Sequence, residues 1–336
     1  MAKLRQKAWR PPLIRDFLEM AETQQRWIVP HLVPFNGLII VSGPRKLAMK
    51  TWTADFLSLV VAEGISESWV CGLIKGPVIY FEEEGTPRGT QERWRGFERS
   101  YGLDLKKSEN LHYVFRGTVR LDEVSWVERI VSAVEEIKPV LVIFDAITYM
   151  HSKDENKTSE MRVVVDAIHA IRKSGTACMF LAHTNSEGSR NLDLDEDLGV
   201  RGSKVILDAY DTHIALRRAS DKQSWIRAKV RQREGSQRLY KIEWDLQTEW
   251  NTETNIEEVM CCRPTITEID DGLQVAVNSS SVLKALERPL SRSALREKLG
   301  CRKSVLEKIV SEMLVQKTIE EVPSVGRGTK LRKVNT

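Results

Sequence analysis

An α/β fold built on a mostly parallel sheet, covered by helices on both faces, is what the sequence predicts, and three observations predict it. Short apolar runs recur along the chain: Leu38–Ser42, Val78–Phe81, Val140–Phe144 and Ala177–Ala182. Stretches with helical apolar spacing separate them. Past Asp211 the runs shorten and follow one another without helices. Near-continuous apolar strands alternating with helices belong to parallel sheets buried on both faces, and closely spaced strands to an antiparallel edge.

Residues 1–25 read as a polar arm interrupted by Pro11-Pro12, with one amphipathic segment at Leu13–Ala21. Trp27–Gly37 is a Pro- and Gly-punctuated entry to the first strand. Thr51–Glu63 is predicted helical and is closed by Gly64. Thr90–Tyr101 is a second helix, His112–Phe115 a strand, and Leu121–Ile137 an amphipathic helix stopped by Lys138-Pro139. Ser159–Lys173 is a further helix before Gly175. His213–Leu216, Ser224–Val230 and Leu239–Trp244 are short edge strands. This body spans 26–250. Residues 251–277 show no period and read as a linker. Residues 278–336 form a small unit of three helices, a strand at Thr318–Val322 and a Gly-rich basic hairpin, which is the order of a winged helix-turn-helix.

The 336 residues are 41% hydrophobic and 29% charged, as in globular domains. No apolar stretch approaches the roughly 20 residues that span a bilayer, so no membrane partner is expected. Five scattered cysteines (71, 178, 261, 262, 301) fit a reducing compartment, with a bacterial or archaeal cytoplasm as the expected location. Net charge is +4, unevenly placed: residues 278–336 hold 13 Lys and Arg against 6 Asp and Glu. A basic unit on a mildly acidic body points to phosphate-bearing partners, with a solvated basic face as the plain alternative.

The chemistry begins after the first strand, at Gly43-Pro44-Arg45-Lys46-Leu47-Ala48-Met49-Lys50-Thr51. Phosphate loops read GxxxxGK[ST]: backbone N–H groups cradle phosphates, the Lys meets their charge, and the hydroxyl reaches Mg²⁺. Here Gly43 lies seven residues before Lys50, one more than the pattern allows. Anchored on Lys50-Thr51, Pro44 and Met49 stand at the glycine positions. The loop is degenerate, yet it follows a strand, ends in Lys-Thr and opens a helix whose N-terminus attracts anions. Asp145, at the tip of the Val140–Phe144 run, suits the metal. Tyr80-Phe81-Glu82-Glu83-Glu84-Gly85 puts carboxylates at the sheet edge where open α/β proteins bind ligands, and Glu84 is placed to position a water.

With these pieces in this order, residues 25–250 resemble the RecA-like ATPases of the hexameric replicative helicase group carried by plasmids, phages and integrated elements. Supporting stretches are Trp27–Gly37, Tyr80–Glu84, Val142–Asp145, Asp154–Asn156, Phe180–Thr184, Arg201–Ser203 and Arg231–Gly235. The resemblance implies ATP and Mg²⁺ as cofactors, with Gly43, Pro44, Arg45, Lys46, Met49, Lys50, Thr51 and Trp52 around the nucleotide. It gives Lys50 to the β- and γ-phosphates, Thr51 and Asp145 to the metal, Glu84 to the water and His183 to sensing the γ-phosphate. Arg231 and Arg233 would reach a neighbouring subunit's phosphates, making hydrolysis depend on a ring, expected to be a hexamer. Loops 152–158 and 185–203 would face single-stranded DNA through Arg190 and Arg201, although Asp193–Asp197 is acidic. In the C-terminal unit, Arg302 and Lys303 at the third helix and Arg327, Lys330, Arg332 and Lys333 in the wing would contact duplex DNA.

The implied function is an ATP-dependent DNA motor, a replicative helicase of a mobile element. Two alternatives are a non-hydrolysing DNA-binding regulator working through the winged helix and an ATP-gated assembly factor.

Overall fold

The computed structural model describes residues 13–14, 26–45, 48–67, 72–184, 204–218, 225–233, 237–253, 255–269, 279–286, 288–299, 303–323 and 329–334. A small hairpin, β1 (Trp27–Val29) and β2 (Val33–Pro34), leads into β3 (Leu38–Gly43). Helix α1 (Lys50–Leu59) follows and runs on into one π-helical turn, Val60–Gly64. Then come β4 (Val78–Glu82), α2 (Pro87–Tyr101), β5 (Leu111–Phe115), α3 (Val124–Ile137), β6 (Leu141–Asp145), α4 (Thr158–Lys173) and β7 (Ala177–His183). Helix α5 (Lys204–Ala209) precedes four successive strands: β8 (Thr212–Arg217), β9 (Trp225–Gln232), β10 (Arg238–Asn251) and β11 (Ile256–Ile269).

These strands form one nine-stranded sheet in the order β11-β10-β9-β8-β3-β7-β6-β4-β5. The six strands from β8 to β5 are parallel, and β9, β10 and β11 extend the β8 edge antiparallel. The expected architecture is thus present in the body of the chain. Alternation along β3 shows why its run is unbroken: Ile39 and Val41 join the apolar cluster that includes Ala54 and Leu57 of α1, while Leu38 and Ile40 join the opposite cluster with Ile130 of α3 and Ile168 of α4. Both faces are covered, so neither can be polar.

Local signals end the helices where they should. Thr86 caps α2, its hydroxyl oxygen accepting from Gly89 N at 3.2 Å, with Pro87 at the first turn and Gly102 in the left-handed region at the end. Lys138 takes the same left-handed place after α3, just before Pro139.

One expectation is corrected. The stretch expected as a linker, 251–277, contains β11, paired with β10 from Leu239↔Ile269 to Asn251↔Ile256. β10 likewise extends seven residues past Trp244, to Asn251. The outer half of this hairpin is polar and solvent-facing on one side, and Pro264 and a bulge break its rhythm, so its alternation is faint in the sequence. The hairpin packs over α1 and α2. Trp52, Phe56, Phe97, Trp244 and Cys262 meet there in a cluster of their own.

In the C-terminal unit, α6 (Ser279–Ala285), α7 (Arg292–Leu299) and α8 (Lys303–Val315) precede an antiparallel hairpin of β12 (Ile319–Pro323) and β13 (Thr329–Lys333). Leu290 bridges Leu331 as a third short strand contact. Val282, Leu295, Leu306, Val310, Met313, Ile319 and Leu331 bury one another in a separate core. No helix among the described residues is long and apolar enough to cross a membrane.

Candidate nucleotide site

Four adjacent parallel strands, β3, β7, β6 and β4, bring their C-terminal tips together. The register sets Gly43 beside His183 and Glu82 beside Asp145. This is the sheet edge where ligands of open α/β proteins bind.

Gly43 has no room for a side chain. A Cβ there would stand 2.6 Å from the Ala48 Cβ and 2.7 Å from the Leu216 carbonyl oxygen. The loop therefore doubles back tightly over the end of β3. Met49, at the position where the phosphate-loop pattern has its second glycine, adopts the left-handed conformation (φ 49°, ψ 40°) immediately before α1. A conformation natural to glycine is held by a methionine, at a cost of about 1 kcal/mol. The missing glycine leaves the turn in place.

Lys50 opens α1 and is 7% exposed. Its ammonium donates to Gly43 O at 2.8 Å, to Pro44 O at 3.3 Å and to Nδ1 of His183 at 3.2 Å. Burial lowers its pKa to about 8 against the opposing pull of Asp145 and Glu84. Because Nδ1 of His183 accepts, its proton sits on Nε2. That nitrogen lies 3.5 Å from Glu84 Oε2. The imidazole beside Glu84 holds its carboxyl below the usual carboxylate range. Lys50, His183 and Glu84 thus form one line across the strand tips.

Asp145 is buried at the tip of β6. Tyr80 Oη donates to its Oδ2 at 3.1 Å, and the nearby Thr51 side chain favours its ionised form. It makes no ion pair among the described residues, and burial pushes its carboxyl up to about 7. A buried carboxylate beside a hydroxyl, without a cation of its own, fits a divalent metal, which would remove the penalty of burying the charge. The donor set present therefore suits Mg²⁺ with a polyphosphate.

The three glutamates that end and follow β4 have three different jobs. Glu82 is 1% exposed and points inward. It accepts from Arg93 Nη2 at 2.7 Å, from Thr90 Oγ1 at 3.0 Å and from the Tyr113 hydroxyl. Arg93 also ion-pairs the fully buried Asp55 of α1. Burial pushes the Asp55 carboxyl up to about 6, with the Arg93 charge opposing. Glu83 Oε1 accepts from Val119 N at 3.0 Å. Only Glu84 faces the loop. The Asp55–Arg93–Glu82 group was invisible in the sequence, where Glu82 is one of three consecutive carboxylates at the sheet edge. The signal available was its place in strand phase at the end of an apolar run.

The remaining expected site residues divide sharply. Pro44 and Arg45 lie on the loop; Lys46 falls outside the described residues. Trp52, expected around the nucleotide, turns its ring away, packing with Phe97 at 5.9 Å and Trp244 at 5.8 Å between ring centroids. The reason is helical phase: one residue past Thr51, the ring faces the apolar underside of the hairpin. Arg231 pairs with His213, and Arg233 N donates to Asp211 O at 2.9 Å. β9 is antiparallel to β8, so both arginines lie back along the strands from the tips: Arg231 is level with Ile40, three residues or about 10 Å from Gly43, and Arg233 is level with Leu38, at the start of β3. The Arg233 guanidinium donates to Tyr210 O at 3.0 Å and to Asp208 O.

Arg190, Arg201, Arg302 and Arg327 lie outside the described residues, as does the side chain of Lys303. Lys330 and Arg332 are on β13, where Arg332 pairs with Glu320 at 2.6 Å. Of the loop 152–158, Ser152 donates N–H and hydroxyl to Asp122 Oδ2 at 3.1 and 2.6 Å.

A family model described as an AAA domain matches residues 6–189, more than half of the chain. No curated protein matches it. Among solved structures, a KaiC-like protein from the hyperthermophilic archaeon Pyrococcus horikoshii OT3 is similar at 15% identity with a TM-score of 0.45, covering 70% of this chain and 98% of that one.

Proposed function

The chain belongs to the AAA domain family, and from that premise we propose that it is a Mg²⁺-dependent ATPase acting on DNA, working as a RecA-like ring motor of the replicative helicase kind. The observation that carries the nucleotide part is the line Lys50–His183–Glu84 at the strand tips, with Thr51 and Asp145 beside it.

Lys50 supplies the charge that meets the β- and γ-phosphates. Thr51 and Asp145 hold the metal, which when bound neutralises phosphate charge and steadies the leaving group. Glu84, kept ionised beside His183, orients the attacking water and accepts its proton. Lys50 now donates to two loop carbonyls and to His183. A phosphate competing for that ammonium frees Nδ1 of His183, and the change passes to Glu84 through the same ring. His183 thereby reports occupancy to the chain that leaves β7. Arg233, far from its own loop, suits a role only at a neighbour's site, which makes turnover depend on assembly. The helix–helix–helix–hairpin unit at 278–336 suits a winged helix meeting duplex DNA, and its basic charge supports that reading.

The test is ATP hydrolysis by the purified protein with and without single-stranded DNA. Lys50→Ala should lose binding, and Glu84→Gln should keep binding and lose turnover. Rings mixed from Arg233→Ala and Glu84→Gln subunits should recover activity that neither has alone. The regulator alternative draws on the fully occupied Lys50 amine. Intact duplex binding with no turnover by the natural chain would establish it instead.

A further inference from the structure

β8 runs parallel to β3 with Ser42 beside Ala215. Two residues past the point where the Leu216 carbonyl walls Gly43, the chain reaches Arg218. Its guanidinium lies against the phosphate loop: Nη2 is directed at Met49 Sδ, 4.0 Å away. A thioether is a weak acceptor. Nε of Arg218 is buried with no hydrogen-bond partner among the described residues, and no carboxylate among them pairs with it. Arg218 as a whole is half-buried, but a buried N–H with no acceptor is unusual, because buried polar groups are normally hydrogen-bonded.

Around it, the loop is short of donors. Lys50 has committed its ammonium to Gly43 O, Pro44 O and His183 Nδ1. Met49 replaces the glycine whose bare backbone would let a phosphate approach closely. A guanidinium offers five N–H donors in a planar fork that matches phosphate oxygens two at a time.

We propose that Arg218 is a phosphate-binding residue of this subunit's own nucleotide site, supplying in cis the donors that the degenerate loop lacks. This deepens the nucleotide reading above and rests on it. Arg218 is distinct in place from Arg231 and Arg233, which lie back along the strands from the tips.

Calorimetry on the full chain tests it, with Mg·ATP and with Mg·tripolyphosphate, which has no base or sugar. Arg218→Ala should weaken both by roughly tenfold or more, the loss of about one charge-assisted contact. Arg218→Lys, which keeps the charge but not the fork, should fall between. Thermal melting without nucleotide should be unchanged in both variants. If Arg218→Ala binds both ligands as the natural chain does, the assignment is overturned while the nucleotide site stands. If tripolyphosphate binding is unchanged and only ATP weakens, Arg218 touches base or sugar and the assignment is also wrong. If the natural chain binds neither ligand, the nucleotide reading itself fails and takes this assignment with it.

Discussion

The Lys50 ammonium donates to Nδ1 of His183 across 3.2 Å, so the loop's cation is fastened to the tip of the neighbouring strand. The contact fixes the imidazole tautomer and directs its other nitrogen at Glu84. One histidine therefore sees both the charge proposed to meet phosphate and the carboxylate proposed to act on water.

Replacing that histidine separates binding from turnover. His183→Ala should leave Mg·ATP affinity within about threefold, since the phosphate contacts of Lys50 do not need the ring. Hydrolysis should fall by about 10²-fold, as Glu84 loses its orienting partner. Calorimetry and phosphate release measured side by side check this, and equal losses in both would contradict it.

Gly43 is the backbone's tightest point. Gly43→Ala drives a methyl group into the Ala48 side chain and the Leu216 carbonyl, at 2.6 and 2.7 Å. Overpacking of this kind costs about 1–3 kcal/mol. Urea unfolding should show a lower midpoint at unchanged slope, and nucleotide binding should weaken with it.

Arg93 neutralises two buried carboxylates. Arg93→Met leaves Asp55 and Glu82 without their cation, and breaking a buried pair from one side costs about 3–5 kcal/mol. Adding Asp55→Asn and Glu82→Gln should restore much of the loss. Chemical denaturation of the single and combined variants measures this. A triple variant no better than Arg93→Met would show that the charges are not the cause.

Asp55 also sets a pH dependence. Its carboxyl is pushed up to about 6 in the folded chain, so the native state holds this proton more tightly than the unfolded state does. The contribution is present below the ordinary carboxylate range, about pH 4, and is lost as pH rises through 6. Compared with Asp55→Asn, the natural chain should lose stability between about pH 4 and 7, on the order of 3 kcal/mol at most. Unfolding free energies of the two proteins across that window give the difference directly, and a flat difference would sink the idea.

Much of the sheet was legible because its strands are buried on both faces. The tips that matter, at Gly43, Asp145 and His183, end apolar runs that could hardly be anything but central strands. Glu84 was legible from its distance past such a run. β11 was not: its residues alternate between hairpin core and water, and Glu257, Glu258 and Arg263 on its outer half look like loop composition. The group of Asp55, Arg93 and Glu82 was hidden for the opposite reason. Three charged residues on separate elements cancel one another only in space, and a sequence shows charge without showing partners. Arg218 was missed because its meaning depends on β8 lying next to β3. That neighbour is set by the return of the chain across the sheet and leaves no local trace.

The ring of Trp52, one residue beyond Thr51 and 5.8 Å from Trp244, gives the molecule a built-in optical gauge. Any displacement of the first turn of α1 against the overlying hairpin alters the packing and polarity around both indoles. Their emission should then follow ligand arrival at the loop in real time, with no label attached, and Trp52→Phe should weaken the signal, leaving the share that Trp244 reports, while the event itself stays intact.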